Sequence, residues 1–175
     1  SFPLKKISNL RYGENPHQKA SLYQLGNNFI SKISGKDLSF NNINDLEIAM
    51  ELAEQFSRPS CVILKHGNPC GVAIDKFQKN AYKKALECDP ISAFGGIVAF
   101  NKIIDEKTAK LILKIFTEIV AAPGFTEKAI GVLKTKKNLI LVKYNSSKSQ
   151  YKYHIKSTRN FLLVQERDTK KIVNN

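Results

Sequence analysis

Two adjacent residues, Lys65 and His66, carry the most chemical potential in the sequence, standing where the apolar run CVILK (61–65) gives way to HGNPCG (66–71). An imidazole titrates near neutrality and suits general acid–base work. A lysine beside it supplies a fixed positive charge that can stabilise a developing oxyanion and hold the histidine neutral. Gly67, Asn68, Pro69, Cys70 and Gly71 follow at once, a composition suited to unusual dihedrals and close approach of backbone to a ligand. The plainer alternative is a solvent-exposed lysine beside a histidine that merely stabilises its loop.

Three further groups could take part. In RYGENPHQ (11–18), Arg11 and Tyr12 could clamp a phosphate and line a ring. The same string could equally be a surface turn in which Arg11 pairs with Glu14, and His17 is as ambiguous. In DPISAFGGIVAF (89–100), Gly95 and Gly96 precede a strand and would leave backbone N–H groups free for an anion or carbonyl. The string is neither a dinucleotide fingerprint nor a P-loop, so it does not support nucleoside triphosphate binding. Glu118 opens an apolar strand, either as its exposed end or as a ligand for a substrate amino group.

Pro69-Cys70 invites comparison with zinc-dependent base deaminases, which need a His-x-Glu and a Pro-Cys-x-x-Cys. Position 73 is alanine and no His-x-Glu occurs, so the expectation is no metal. Cys61, Cys70 and Cys88 fit neither zinc-ligand spacing nor a disulfide framework. A reducing, cytoplasmic compartment is the default for such a chain.

The elements that must position these residues follow from hydrophobic periodicity. DLEIAMELAEQF (45–56) puts Leu46, Ala49, Met50, Ala53 and Phe56 on one helical face, with Asn44 and Glu47 as a box-like cap. CVILK (61–65), GIVAF (96–100), EIVAA (118–122) and LILVK (139–143) are short apolar runs of the buried-strand kind. Helices are predicted between them, around 76–88 with Phe77, Ala81, Tyr82 and Ala85 on one side, near 105–116 from Asp105, and near 126–136. This alternation predicts an α/β layered fold with a largely parallel sheet, and ligands would then gather outside the carboxyl ends of its strands. The loops after residues 65, 100 and 122 are the first places to look, with 89–96 coming from the other direction.

YNSSKSQ (144–150) reads as a polar linker, and YKYHIK (151–156) and FLLVQ (161–165) as a strand pair. Such a pair needs something more to pack on, so the end reads as a truncation or domain boundary. The predicted organisation is a first α/β subdomain over 1–143 and a basic strand pair over 144–175.

Length and charge bound the class. The chain has 175 residues, 42% of them hydrophobic, enough for one ordinary domain with its own core. No apolar run approaches the ~18 residues of a membrane span, and the first residues show no signal-peptide core. The net charge of +13 invites a nucleic-acid reading. However, residues 1–130 carry 17 basic and 13 acidic side chains, whereas 131–175 carry 11 and 2. Only Arg11, Arg58, Arg159 and Arg167 are arginines, a poor match for bidentate phosphate or guanine readout. The charge therefore reads as a solvated lysine-rich surface, not as a nucleic-acid footprint.

LRYGENPHQKASLY, KHGNPCG, DPISAFGGIVAFN and IVAAPGF, in that order, resemble the formyltransferase domain of the bifunctional enzymes that combine AICAR formyltransferase with IMP cyclohydrolase. The likeness runs from about residue 9 to LLVQERD at 162–168. It implies transfer of a formyl group from the co-substrate 10-formyltetrahydrofolate to the 5-amino group of AICAR, in purine biosynthesis. It implies catalytic roles for Lys65, as oxyanion stabiliser, and His66, as proton acceptor. Arg11, Tyr12, Gly95 and Glu118 would bind the nucleotide. The implied fold is cytidine-deaminase-like α/β without zinc, in a cytoplasmic homodimer with sites at the interface. Only the first of the two α/β halves of that domain corresponds to these 175 residues, and the resemblance implies that the full-length protein would also carry the second half and an IMP cyclohydrolase domain. Asn160-Phe161 stands where the family has a glycine pair before LLVQ. The alternative function is a non-catalytic fragment or a module of the same fold that binds small anions or nucleotides, with a basic nucleic-acid binder as the reading after that.

Overall fold

The computed structural model describes residues 4–24, 30–145 and 152–167. Its centre is a six-stranded sheet made from the apolar runs: β4 (Ser60–Lys65), β6 (Ile97–Phe100), β7 (Ile119–Ala122) and β8 (Ile140–Tyr144), flanked by β3 (Ile30–Ser34) and β5 (Asn68–Ile74). The strand order is β3-β8-β7-β6-β4-β5. β6, β7 and β8 are parallel, while β3 on β8, β4 on β6 and β5 on β4 are antiparallel. The sheet is thus mixed, and the largely parallel arrangement expected from the alternation holds only for its central strands.

Alternate residues of each strand feed two cores, as a period of two requires. Val62, Leu64, Ile97, Ala99, Ile119, Ala121, Ile140 and Val142 meet Leu46, Ala49, Met50 and Ala53 of α1 (Phe40–Glu54). Cys61, Ile63, Val98, Phe100, Val120, Ala122 and Leu141 face the other way, onto α2 (Gln78–Cys88), α3 (Glu106–Ile112) and α4 (Glu127–Leu133). The result is three layers, helix, sheet, helix.

Several elements differ from the sequence reading for definable reasons. The first helix begins at Phe40, not Asp45: Ser39 caps it, and Ser39 and Asn42 form the reciprocal capping box assigned above to Asn44 and Glu47. Phe77 is the non-helical cap residue of α2 and is exposed, while Ala81, Tyr82 and Ala85 are buried as expected. Of HGNPCG only His66 and Gly67 form a turn, and Asn68–Gly71 already belong to β5. Proline, glycine and asparagine mask β5 in sequence, yet an edge strand tolerates them. The sheet's amino-terminal edge and the hairpin of β1 (Lys5–Asn9) with β2 (Ser21–Gln24) were also unforeseen, because these strands are polar and exposed. Arg11 therefore follows a strand.

The predicted pair at the end is present as an antiparallel hairpin, β9 (Tyr153–Ser157) with β10 (Leu162–Glu166), separate from the main sheet. Its turn is closed by Thr158 and Phe161, whose backbone and side-chain groups exchange hydrogen bonds of 2.8 to 3.1 Å. The Asn160-Phe161 departure is accommodated there. Most of the 144–150 linker and the residues after 167 lie outside the described residues. Among the described residues, no helix is long and apolar enough to cross a membrane.

Candidate active site

Because β4 runs against β6, its carboxyl end lies at the amino ends of the parallel strands. Leu64 pairs with Ile97, Ile97 with Ile119 and Ile119 with Ile140. Lys65, Gly95, Gly96 and Glu118 therefore share one rim of the sheet. The expectation that the loops after residues 100 and 122 join the loop after residue 65 is corrected by this geometry, since those loops leave from the opposite rim.

Lys65 and His66 sit at the β4–β5 hairpin. Lys65 pairs with Asn68, leaving His66 and Gly67 as a two-residue turn. Their φ values are +52° and +75°, the positive pair demanded by a type I′ connection. For glycine this is free; for His66 the left-handed conformation costs about 1–2 kcal/mol. Asp45, in the second turn of α1 and 8% exposed, answers that strain. One carboxylate oxygen accepts from the His66 N–H at 3.0 Å and the other from the Gly67 N–H at 2.9 Å. Bonds to a charged group contribute about 1.5–3 kcal/mol each, enough to outweigh the strain. His66 itself is exposed at the tip.

The Lys65 Nζ donates to the Phe94 carbonyl at 2.8 Å. An ammonium has three donors, so this bond anchors the charge and leaves two N–H bonds for another acceptor. Gly95, at φ +76°, turns the chain into β6. Its N–H donates to the Phe116 carbonyl at 2.7 Å, and that of Gly96 to Ala93 at 3.1 Å. The free N–H groups expected of this glycine pair are already spent inside the protein.

Arg11 and Tyr12 reach the same rim along the entry to α1. The Arg11 N–H bonds the Leu38 carbonyl at 3.4 Å, and the Phe40 N–H bonds the Tyr12 carbonyl at 3.3 Å. The guanidinium stacks 5.2 Å from the Tyr12 ring centroid, donates to Asn42 Oδ1 at 3.3 Å and lies 3.9 Å from the Glu118 carboxylate. The partner is Glu118 and not the neighbouring Glu14. Lys36 pairs with the same carboxylate at 2.9 Å. Glu118 is half-buried, fixed by backbone bonds to Gly96 and Ile140, and so sits between two cations. His17 is exposed in the outer loop, away from these contacts.

Burial pushes the Cys61 thiol well up. Burial and then the Asp89 carboxylate raise that of Cys70, against a weaker opposing pull from Lys65. Neither is a ready thiolate nucleophile at neutral pH. Among the described residues, no group of three or more His, Cys, Asp or Glu side chains is arranged to hold a metal ion.

Strand register and the contacts at the head of α1 thus bring Lys65, His66, Arg11, Tyr12, Gly95 and Glu118 to this rim, while His17 lies apart. The rim adds two that sequence reasoning missed: Asp45, one of four acids in α1, and Lys36, one lysine among many. A signal for Asp45 lay only in its spacing from Asn42, which puts both on one helical face at i, i+3.

The chain matches the family described as the AICARFT/IMPCHase bienzyme over residues 1–175. It is 49% identical over 179 residues to the bifunctional purine biosynthesis protein PurH of Caldicellulosiruptor saccharolyticus, covering 97% of this chain and 35% of that protein. The protein of the same name from Thermoanaerobacter sp. (strain X514) is 49% identical, with 96% and 34% covered. That from Clostridium botulinum (strain Loch Maree) is 50% identical, with 95% and 34% covered. The chain thus spans about a third of the length of these relatives. On the match along its whole length, the chain belongs to the AICARFT/IMPCHase bienzyme family.

Proposed function

We propose that this chain is the catalytic-pair half of an AICAR formyltransferase acting in purine biosynthesis, with 10-formyltetrahydrofolate as formyl donor. The observation that supports the reading is strand register and an α1 face that set Lys65, His66, Arg11 and Glu118 along a single rim. Arg11 stacked on Tyr12 takes the nucleotide phosphate and ring face. Glu118 exchanges a cation for the amino or amide edge of the base. Gly95 contributes by lacking a side chain beside the Phe116 ring, and not by its N–H.

The chemistry is acyl transfer. The 5-amino nitrogen attacks the formyl carbon, and the carbonyl π electrons move to oxygen. The amine proton leaves to the His66 imidazole, while the spare donors of Lys65 meet the oxyanion. Collapse expels the folate nitrogen, which takes the proton back from the His66 imidazolium and leaves the imidazole neutral. Residues 1–143 form the first α/β subdomain, of the cytidine-deaminase-like type, and 144–175 lead toward a second. Folate, a homodimer whose interface completes the site, and a cytoplasmic setting belong to the same reading.

The full-length protein carrying Lys65→Ala tests it. Formyl transfer should fall at least 100-fold while AICAR affinity, measured by calorimetry, stays within about threefold. Wild-type turnover in that variant would refute the role of Lys65.

A further inference from the structure

We infer that Asp45 is a positioning residue for formyl transfer, acting through the backbone of His66; the inference rests on the catalytic reading of His66. A two-residue hairpin turn has no packing of its own, and the His66 side chain is exposed. What holds it is the buried Asp45 carboxylate, one oxygen on each N–H of the turn. The residue it restrains is the one whose φ, +52°, L-residues avoid. Within the hairpin the Lys65–Asn68 pair closes the turn, and the Asn68 side-chain amide donates to the His66 carbonyl at 3.1 Å. The carboxylate is the hold from outside the hairpin. Without it His66 is freer to relax toward negative φ, and its imidazole to move from the rim.

The geometry has two consequences. The N–H groups of His66 and Gly67 resemble an oxyanion hole by position, but Asp45 occupies both, so the oxyanion falls to Lys65. Asp45 also lies one helical turn from Asn42, which accepts from Arg11 at 3.3 Å. One face of α1 therefore sets the distance between the phosphate-binding guanidinium and the proton acceptor. A displacement near 1 Å at that acceptor can cost about 100-fold in rate.

The test compares Asp45→Ala, Asp45→Asn, His66→Ala and the Asp45→Ala/His66→Ala double variant in the full-length protein. Asp45→Ala should lower kcat about 10- to 100-fold with the KM for AICAR within about threefold. Asp45→Asn, which keeps one acceptor, should fall between it and wild type. In the His66→Ala background the loss should vanish, because two residues acting through one group are not additive. An undiminished kcat in Asp45→Ala, or an equal loss with and without His66, would overturn the inference while leaving His66 catalytic. Wild-type turnover in His66→Ala would instead sink the catalytic reading and the inference with it. If Asp45→Ala does not fold, amide hydrogen exchange on the wild-type protein decides. Protection of the His66 and Gly67 amides by about 100-fold over an open turn supports the inference, and free exchange overturns it.

Discussion

Charge placement at single residues decides what the rim can bind. Glu118 is half-buried between Lys36 and Arg11, so its carboxylate is already attracted to cations before any substrate arrives. A strand-end acid with no other task would tolerate loss of that charge. A substrate ligand would not, because a hydrogen bond to a charged group contributes about 1.5–3 kcal/mol. Glu118→Gln in the full-length protein should therefore weaken AICAR binding about 10- to 100-fold by calorimetry. Unchanged affinity would return Glu118 to the role of strand end. The position of Lys65 and His66 at a strand end and turn was legible from sequence, because the apolar run CVILK stops against glycine, asparagine and proline. Asp45 was not legible, because its meaning depends on a hairpin 21 positions away being folded against α1.

Elements set how much freedom those residues have. β5 packs so closely on α2 that a Cβ on Gly71 would lie 1.9 Å from the Ala85 carbonyl oxygen and 2.8 Å from its carbon. Both atoms are backbone, so the helix itself would have to move. Gly71→Ala should cost about 3 kcal/mol or more, whereas Gly67→Ala, with open space around its Cβ and only a positive φ to bear, should cost about 1 kcal/mol. Denaturant unfolding measures both, and similar costs would contradict the close packing. At the far end of α1, burial and then the Glu47 and Glu51 carboxylates raise the Glu54 carboxyl above its ordinary value. Among the described residues its buried Oε1 has no hydrogen-bond partner. Its favourable contribution is complete below the unfolded value of 4.5 and is lost as pH rises through the raised folded value. Glu54→Gln should then stabilise the protein at pH 7 by about 1 kcal/mol, and the gain should disappear below about pH 4. A gain that persists in acid would place its origin elsewhere. The central strands were readable as continuous apolar runs, and α2 as a periodic one. The direction of β4 was not, because a four-residue-wide apolar strand looks the same parallel or antiparallel, and its partner β5 is written in loop residues.

Across the whole molecule, the reversal of β4 moves the site from the carboxyl ends of the parallel strands to their amino ends. That one topological fact brings the β4–β5 turn, the Gly95 turn, Glu118 and the head of α1 to a common rim. The net charge of +13 is divided accordingly. Arg11, Lys36 and Lys65 focus a local positive field on the rim, suited to small phosphates and carboxylates. Much of the remaining excess lies on exposed lysines of the 134–137 turn and on the β9–β10 hairpin. That hairpin is tied back to α1 where Arg167 meets Glu47 and Glu51. In the function proposed above, the turn at Lys65–His66 would perform the transfer on this rim. Single-turnover formyl transfer by the full-length protein carrying His66→Ala, with AICAR binding measured on the same sample, tests it most directly. AICAR should bind within about threefold of wild type, and the transfer rate should be at least 100-fold lower. Transfer at the wild-type rate with AICAR bound would contradict that role of the turn.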